Sequence, residues 1–248
     1  MEEKKLTGHI AREKIKLMQV PQPPQGAVEA FLALGDPTGI VADAMDELGI
    51  PCGVVGAHVL KPTMPGTVMI GPALTIHNIL QRADALEGAR QHVNKMAEFE
   101  GHNLATPGDV IVIQGVSNVS NMGGISAQTG KRQGEVGAVV SGGVRDIAHS
   151  RAVGYPVWAS EFTAVTGKWR LETVEINGPI QIGDVRVEAG DLVVADDTSV
   201  VFVPRARILD VLALSQKKAK AEQVRCDAID KGIPVHEVIR STYGESDR

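Results

Sequence analysis

The feature that most restricts the fold of this chain lies between Asp109 and Pro156, where two apolar runs each lead through small residues into a helical segment. Asp109-Val110-Ile111-Val112-Ile113-Gln114 reads as a strand, followed by the polar loop from Gly115 to Gly124 and a helix through Ile125-Ser126-Ala127-Gln128-Thr129. Gly137-Ala138-Val139-Val140 reads as a second, buried strand, and Asp146-Ile147-Ala148 starts the next helix. Between them, Gly142 and Gly143 are expected to let the chain turn sharply. Two consecutive strand-loop-helix units of this kind make an α/β fold. They direct both loops toward the edge beyond the strands' carboxyl ends, where open α/β architectures bind ligands.

The chemistry offered at that edge is specific. Arg145 could clamp a substrate carboxylate through two parallel hydrogen bonds, and Asp146 could hold a hard divalent cation. The same pair could instead be structural, matched to other charges or capping a helix. Gly123 and Gly124, at the start of the upstream helix, would expose backbone N–H groups as an anion site. A tight turn is the plainer meaning of two adjacent glycines.

Composition removes several alternatives. With 248 residues, 43% of them hydrophobic, the chain can bury one large domain or a domain with extensions. A formal charge of -5 argues against a nucleic-acid binder, and Lys217-Lys218-Ala219-Lys220 reads as the solvated face of a helix. Cys52 and Cys226 lack metal-ligand spacing and suit free thiols in a reducing cytoplasm. No apolar run approaches membrane-span length, and Met1-Glu2-Glu3-Lys4-Lys5 lacks a signal peptide's apolar core, so a cytoplasmic protein without a membrane partner is expected. The sequence has no P-loop, GxGxxG, HExxH, paired CxxC or nucleophile elbow.

Along the chain, residues 1–26 are charged and then proline-rich, and read as an extension and linker. The main domain is expected over 27–225 and a helical tail over 226–248. Asp36-Pro37-Thr38 has the pattern of a capped helix start, with Asp43 and Asp46 on the solvated side. Val54 to Leu80 holds two or three strands. His77 and Asn78 at their end either border the site or are structural. Asp84 to Glu100 reads as one helix carrying His92 at its boundary, and short strands follow Pro156 until a long helix opens at Pro204.

Five segments in one order carry a resemblance that each alone would not. They are Gly71-Pro72-Ala73-Leu74-Thr75-Ile76, Pro107-Gly108-Asp109-Val110-Ile111-Val112, Gly142-Gly143-Val144-Arg145-Asp146, Gly154-Tyr155-Pro156-Val157, and the run from Gly190 to Asp197. From about Thr38 to about Glu222 the chain resembles the RraA-like family. That family includes class II pyruvate aldolases acting on 4-hydroxy-4-methyl-2-oxoglutarate and 4-carboxy-4-hydroxy-2-oxoadipate, and the regulator of ribonuclease activity A.

The resemblance implies a layered α/β fold with a β core flanked by helices, assembled as a homotrimer or homohexamer. It implies a lyase that cleaves a small-molecule 4-hydroxy-2-oxo acid to pyruvate through an enolate, and that could also decarboxylate oxaloacetate. Arg145 would hold the pyruvyl carboxylate, Asp146 would hold Mg2+ or Mn2+, and the backbone of Gly123, Gly124, Ile125 and Ser126 would receive the pyruvyl group. A non-catalytic regulator binding a protein partner is the alternative. The chain departs from the aldolase pattern at Gly124, Ser141 and His149, where family members often carry acids, and fewer carboxylates mean a weaker metal site. His149 could serve as an acid or base, or lie on a solvated helix face. The base for cleavage has no motif: by analogy with the family it could be a metal-activated water assisted by an acid from a neighbouring subunit, and Glu222 could be that acid or simply a solvated helix position.

Overall fold

The computed structural model describes residues 4–243. Its strands in chain order are β1 (Val54–Gly56), β2 (Lys61–Pro62), β3 (Met69–Leu80), β4 (Val110–Gln114), β5 (Ser120–Met122), β6 (Gly137–Val144), β7 (Val157–Phe162), β8 (Leu171–Ile176), β9 (Ile180–Ile182), β10 (Val185–Val187), β11 (Leu192–Ala195) and β12 (Ser199–Val203). The helices are α1 (Ala27–Leu32), α2 (Pro37–Glu47), α3 (Ala85–Arg90), α4 (Glu98–Leu104), α5 (Gly124–Gln133), α6 (Ile147–Ala152), α7 (Ile208–Asp230) and α8 (Val235–Tyr243).

The runs around Val110 and Gly137 form the parallel centre of the sheet. β3, β4, β6 and β7 pair in parallel, with Val112 opposite Thr75 and Val139. Antiparallel strands extend this block, giving the order β1-β12-β11-β3-β4-β6-β7-β2, with β5 on β6 and β8 on β3. Because side chains alternate along a strand, each central strand feeds two apolar layers. Leu74, Ile76, Ile111, Ile113, Ala138 and Val140 face one core, which includes Leu104 of α4 and Ala127 of α5. Val110, Val112, Val139 and Trp158 face a second core, shared with Ile180, Val193 and Phe202 from the later strands. The sheet curls so far that Trp158 on β7 donates its indole N–H to the Asp196 carbonyl just past β11, at 2.8 Å. Outside the curl, α1, α2 and α7 bury Phe31, Met45 and Val211 against Val194 and Val201.

Three local expectations are corrected. Asp36 makes no cap bond to α2. The carboxylate of Asp196 caps it from across the fold, accepting from the Thr38 N–H at 3.1 Å and its hydroxyl at 2.8 Å. The single helix expected over Asp84 to Glu100 is two short ones. α3 is capped by Asp84, whose carboxylate accepts from the Leu86 and Glu87 amides. It ends where His92 adopts a left-handed φ of 55° and Val93 donates back to Gly88 at 2.9 Å.

The third concerns the amino-terminal stretch, which does not stand ahead of the core. Ile10, Ile15 and Val20 are buried in the layer that holds Leu74 and Ile111. Lys16 donates its backbone N–H to the Ile176 carbonyl at 2.9 Å, and the Thr7 amide reaches Glu100 Oε2 at 2.8 Å. Isolated apolar residues in a polar segment leave no periodic trace, which is why composition reads this stretch as a linker. Ile15→Ala is therefore expected to lower the unfolding free energy by about 2–4 kcal/mol in urea denaturation, whereas the same change in a free extension would leave it unaltered.

Candidate functional site

The glycine pair of the second unit does not make its turn. β6 runs through Gly142 and Gly143 to Val144, and the two glycines serve close packing. A Cβ on Gly142 would stand 2.5 Å from Asn121 Nδ2, and one on Gly143 would stand 2.6 Å from the Val119 carbonyl oxygen. The loop after β4 can therefore lie flat against β6. Asn121 holds it there, donating to the Val116 and Val119 carbonyls and accepting from the Val116 amide at 3.0 Å. Asn78 supports Asn121 at 3.4 Å and accepts from the Thr173 hydroxyl at 2.8 Å, so Asn78 is structural. His77 is half-buried, and desolvation lowers its pKa against the opposing pull of Glu175.

The turn falls one residue later, at Asp146, whose backbone is left-handed with φ 59° and ψ 39°. Aspartate tolerates this conformation better than most residues. It caps no amide of α6. Its Oδ2 accepts the Gly124 N–H of α5 at 3.1 Å and lies 3.4 Å from Arg145 Nε. The Arg145 amide in turn donates to the Met122 carbonyl at 3.1 Å. Gly123 sits against both charged groups, since a Cβ there would be 3.0 Å from Asp146 Oδ2 and 3.2 Å from Arg145 Nε.

Gly123, Gly124, Arg145 and Asp146 thus come together at the carboxyl ends of β4 and β6. The side chains of Ile125 and Ser126 do not join them. Ile125 is 71% exposed at the rim. Ser126 points inward, where its hydroxyl meets His102 Nε2 at 2.7 Å. His102 Nδ1 lies 2.8 Å from Glu135 Oε1, and Tyr155 donates its hydroxyl to Glu135 Oε2 at 2.6 Å. Burial, then the charge and hydrogen bond of Glu135, push the Tyr155 phenol well above its ordinary value. That buried chain anchors α5 from beneath, leaving only the backbone of Ser126 for a ligand.

Arg145 lines two depressions. One, of about 440 Å³, is open and is walled by Asp146, Ile147, Phe162 and Thr163. The other is a narrow cleft of about 40 Å³ that Arg145 shares with Gly123, Glu98 and Lys168. Sequence reading missed Glu98 and Lys168, because they lie in segments with no motif and reach the site only through the fold. Glu222 lines a different cavity, with Asp36, Asp43 and Cys226.

The departures at Gly124 and His149 are two sides of one contact. A Cβ on Gly124 would stand 2.9 Å from Cβ and Cγ of His149, so the imidazole packs where an acid in the loop would need room. His149 is exposed and its Nε2 lies 3.0 Å from Gln128 Oε1. Ser141 is half-buried on β6, and its carbonyl accepts from the Gly115 amide at 2.9 Å. Among the described residues no group of three or more His, Cys, Asp or Glu side chains is placed to hold a metal ion. A cation at Asp146 would therefore draw its other ligands from water and substrate oxygens, which is how magnesium is commonly held.

Comparison with known proteins gives this geometry a context. The RraA-like family, described as Aldolase/RraA, matches residues 38–202. Protein DlpA of Legionella pneumophila is 30% identical over 176 residues, which span 69% of this chain and 27% of that protein. A Halalkalibacterium halodurans protein provisionally named 4-hydroxy-4-methyl-2-oxoglutarate aldolase is 29% identical, over 79% of this chain and 86% of its own. Among solved structures, an uncharacterized protein from Pseudomonas syringae superposes with a TM-score of 0.72 at 22% identity, over 88% of this chain and 98% of its own. Streptomyces coelicolor RraAS2, of the RNase ES inhibitor RraA family, gives 0.66 at 27% identity, over 82% and 97%. The curled mixed sheet flanked by helices is the fold of these structures.

Gly124→Asp alone is expected to collide with His149 and cost about 1–3 kcal/mol of stability. Combined with His149→Ala it should regain most of that loss and tighten Mn2+ binding about tenfold, as a second carboxylate joins the first. Thermal denaturation and calorimetric titration of parent, single and double variants check both statements.

Proposed function

This chain belongs to the RraA-like family, and we propose that it is a divalent-metal-dependent carbon-carbon lyase releasing pyruvate from a 4-hydroxy-2-oxo acid. The observation that carries this reading is the Arg145–Asp146 turn. A guanidinium opens onto a 440 Å³ cavity directly beside a carboxylate and a glycine-rich helix start. The provisional name of the Halalkalibacterium relative supports the same chemistry.

In this reading Arg145 binds the pyruvyl carboxylate through paired hydrogen bonds and fixes the plane of the 2-oxo group. The first turn of α5 presents backbone N–H groups of Ile125 and Ser126 to the same group. Asp146 would hold Mg2+ or Mn2+, which when bound supplies Lewis-acid polarisation of the 2-oxo oxygen. By holding the Gly124 amide as well, Asp146 keeps the helix start and the arginine in one arrangement. The exposed rim at Ile125 and Phe162 supports assembly into trimers or pairs of trimers, with those side chains covered by a neighbouring copy. A regulator binding a protein partner is the second reading, favoured by the likeness to RraAS2.

The test is pyruvate release from 4-carboxy-4-hydroxy-2-oxoadipate and from oxaloacetate, with Mg2+, with Mn2+ and with chelator. Release is expected only with metal. Arg145→Lys, which keeps the charge and loses the fork, should lower kcat/KM about 100-fold. Absence of release from both substrates with either metal would overturn the lyase and favour the regulator.

A further inference from the structure

Three of the glutamates in and around α4 and α5 have different fates. Glu100 is fully buried and satisfied, its Oε2 receiving the Thr7 amide and its Oε1 the Asn103 amide group. Glu135 is equally satisfied by His102 and Tyr155. Glu98, at the first position of α4, is not. Its Oε2 is closed off from solvent and has no hydrogen-bond partner among the described residues. A buried carboxyl oxygen without a donor costs free energy that the two neighbouring glutamates avoid, and such an exception calls for a function.

The place of this oxygen suggests which function. Glu98 faces the narrow cleft with Gly123, Lys168 and Arg145, and Arg145 also walls the open cavity, so the two depressions adjoin at the arginine. We propose that Glu98 is the acid–base residue of this site, moving the proton that carbon-carbon cleavage transfers. The assignment rests on the lyase reading above. As a carboxylate, Glu98 takes the proton of the substrate's C4 hydroxyl while the C3–C4 bond breaks. The bond's electron pair passes into the enolate, and C4 leaves as a carbonyl. Glu98 then returns the same proton to C3, giving the methyl group of pyruvate. No other reagent is consumed, and the residue ends as it began.

The electrostatics suit a group that must both take and give. Burial pushes Glu98 above the ordinary glutamate value, while its own backbone hydrogen bond and the charges of His102, His9 and Lys168 pull it partly back. A carboxyl group so placed is matched to proton exchange closer to neutrality than an exposed one. Arg145 is a further charged group on the same cleft.

The decisive measurement is exchange of pyruvate's methyl protons with deuterium oxide, followed by proton NMR with Mg2+ and full-length protein. This reaction breaks a C–H bond of the methyl group through the same enolate and proton transfer, but cleaves no carbon-carbon bond. Parent protein is expected to catalyse it, and Glu98→Gln to slow it about 100-fold or more with little change in the KM for pyruvate. Glu98→Asp should retain part of the rate and shift the pH profile. A parent that neither exchanges pyruvate nor cleaves either substrate would overturn the lyase and this assignment together. A Glu98→Gln variant exchanging at the parental rate would overturn the assignment and leave the lyase standing.

Thermal stability supplies a readout independent of turnover. With its pKa raised in the fold, Glu98 keeps a proton that the unfolded chain has already lost, so its contribution falls as pH rises across that window. Glutamine does not titrate. The Tm of Glu98→Gln relative to the parent should therefore climb as pH increases from the ordinary glutamate range toward neutrality, and a flat difference would count against the assignment.

Discussion

The hydrogen bond from the Gly124 amide to Asp146 Oδ2 is where the two halves of the site become one. Gly124 begins the helix after β4, and Asp146 ends the turn after β6, so a single 3.1 Å contact ties neighbouring strand-loop-helix units at their tips. The left-handed backbone at Asp146 aims its carboxylate sideways, away from its own helix. Had Asp146 capped α6 in the usual way, Arg145 would have lost the anion beside its Nε and α5 its cap. Local backbone conformation here sets the relation between elements 22 residues apart.

The sheet explains why such a contact can be held. Its parallel centre is buried on both faces, with Val110, Val112 and Val139 in one layer and Ile111, Ile113, Ala138 and Val140 in the other. Loops that leave a doubly buried sheet inherit rigid starting points, and here Asn121 and the bare surfaces of Gly142 and Gly143 extend that rigidity outward. The buried series Ser126–His102–Glu135–Tyr155 does the same for α5 from below. The polar groups of these two series restrain backbone and are satisfied in doing so, which sets the unpartnered carboxyl oxygen of Glu98 apart from them.

Much of this was legible in the sequence. β-branched runs announced β4 and β6, and the small residues after them announced loops gathered at one edge. Arg145 and Asp146 stood out as a guanidinium and a carboxylate side by side at a strand's end, although the local pattern suited a structural pair as well. Asp43 and Asp46 are exposed, as their helical spacing implied. What escaped depended on long-range geometry. The cap on Thr38 comes from Asp196, 158 residues away, and Ile15 finds its place only once Ile176 exists beside it. Gly142 and Gly143 looked like a hinge because local sequence cannot show the loop that lies on them. Glu98 carried no mark at all, since nothing near it in the chain tells a cleft-facing glutamate from a solvated one.

The two tryptophans of this chain sit in different worlds. Trp158 is sealed in the closed interior of the curl with its N–H bound to a carbonyl, while Trp169 is half-buried, next in the chain to Lys168 of the cleft and edge-on to the ring of His92 at 6.2 Å. Intrinsic fluorescence from this protein is therefore a sum of two separable optical signals. One indole reports whether the barrel-like core is intact, and the other, partly open to solvent one residue beyond the cleft-lining Lys168, is the one that quenchers reach first. The molecule carries its own pair of spectroscopic labels, one for the core and one for the surface near the cleft, without any cysteine or tag having to be introduced.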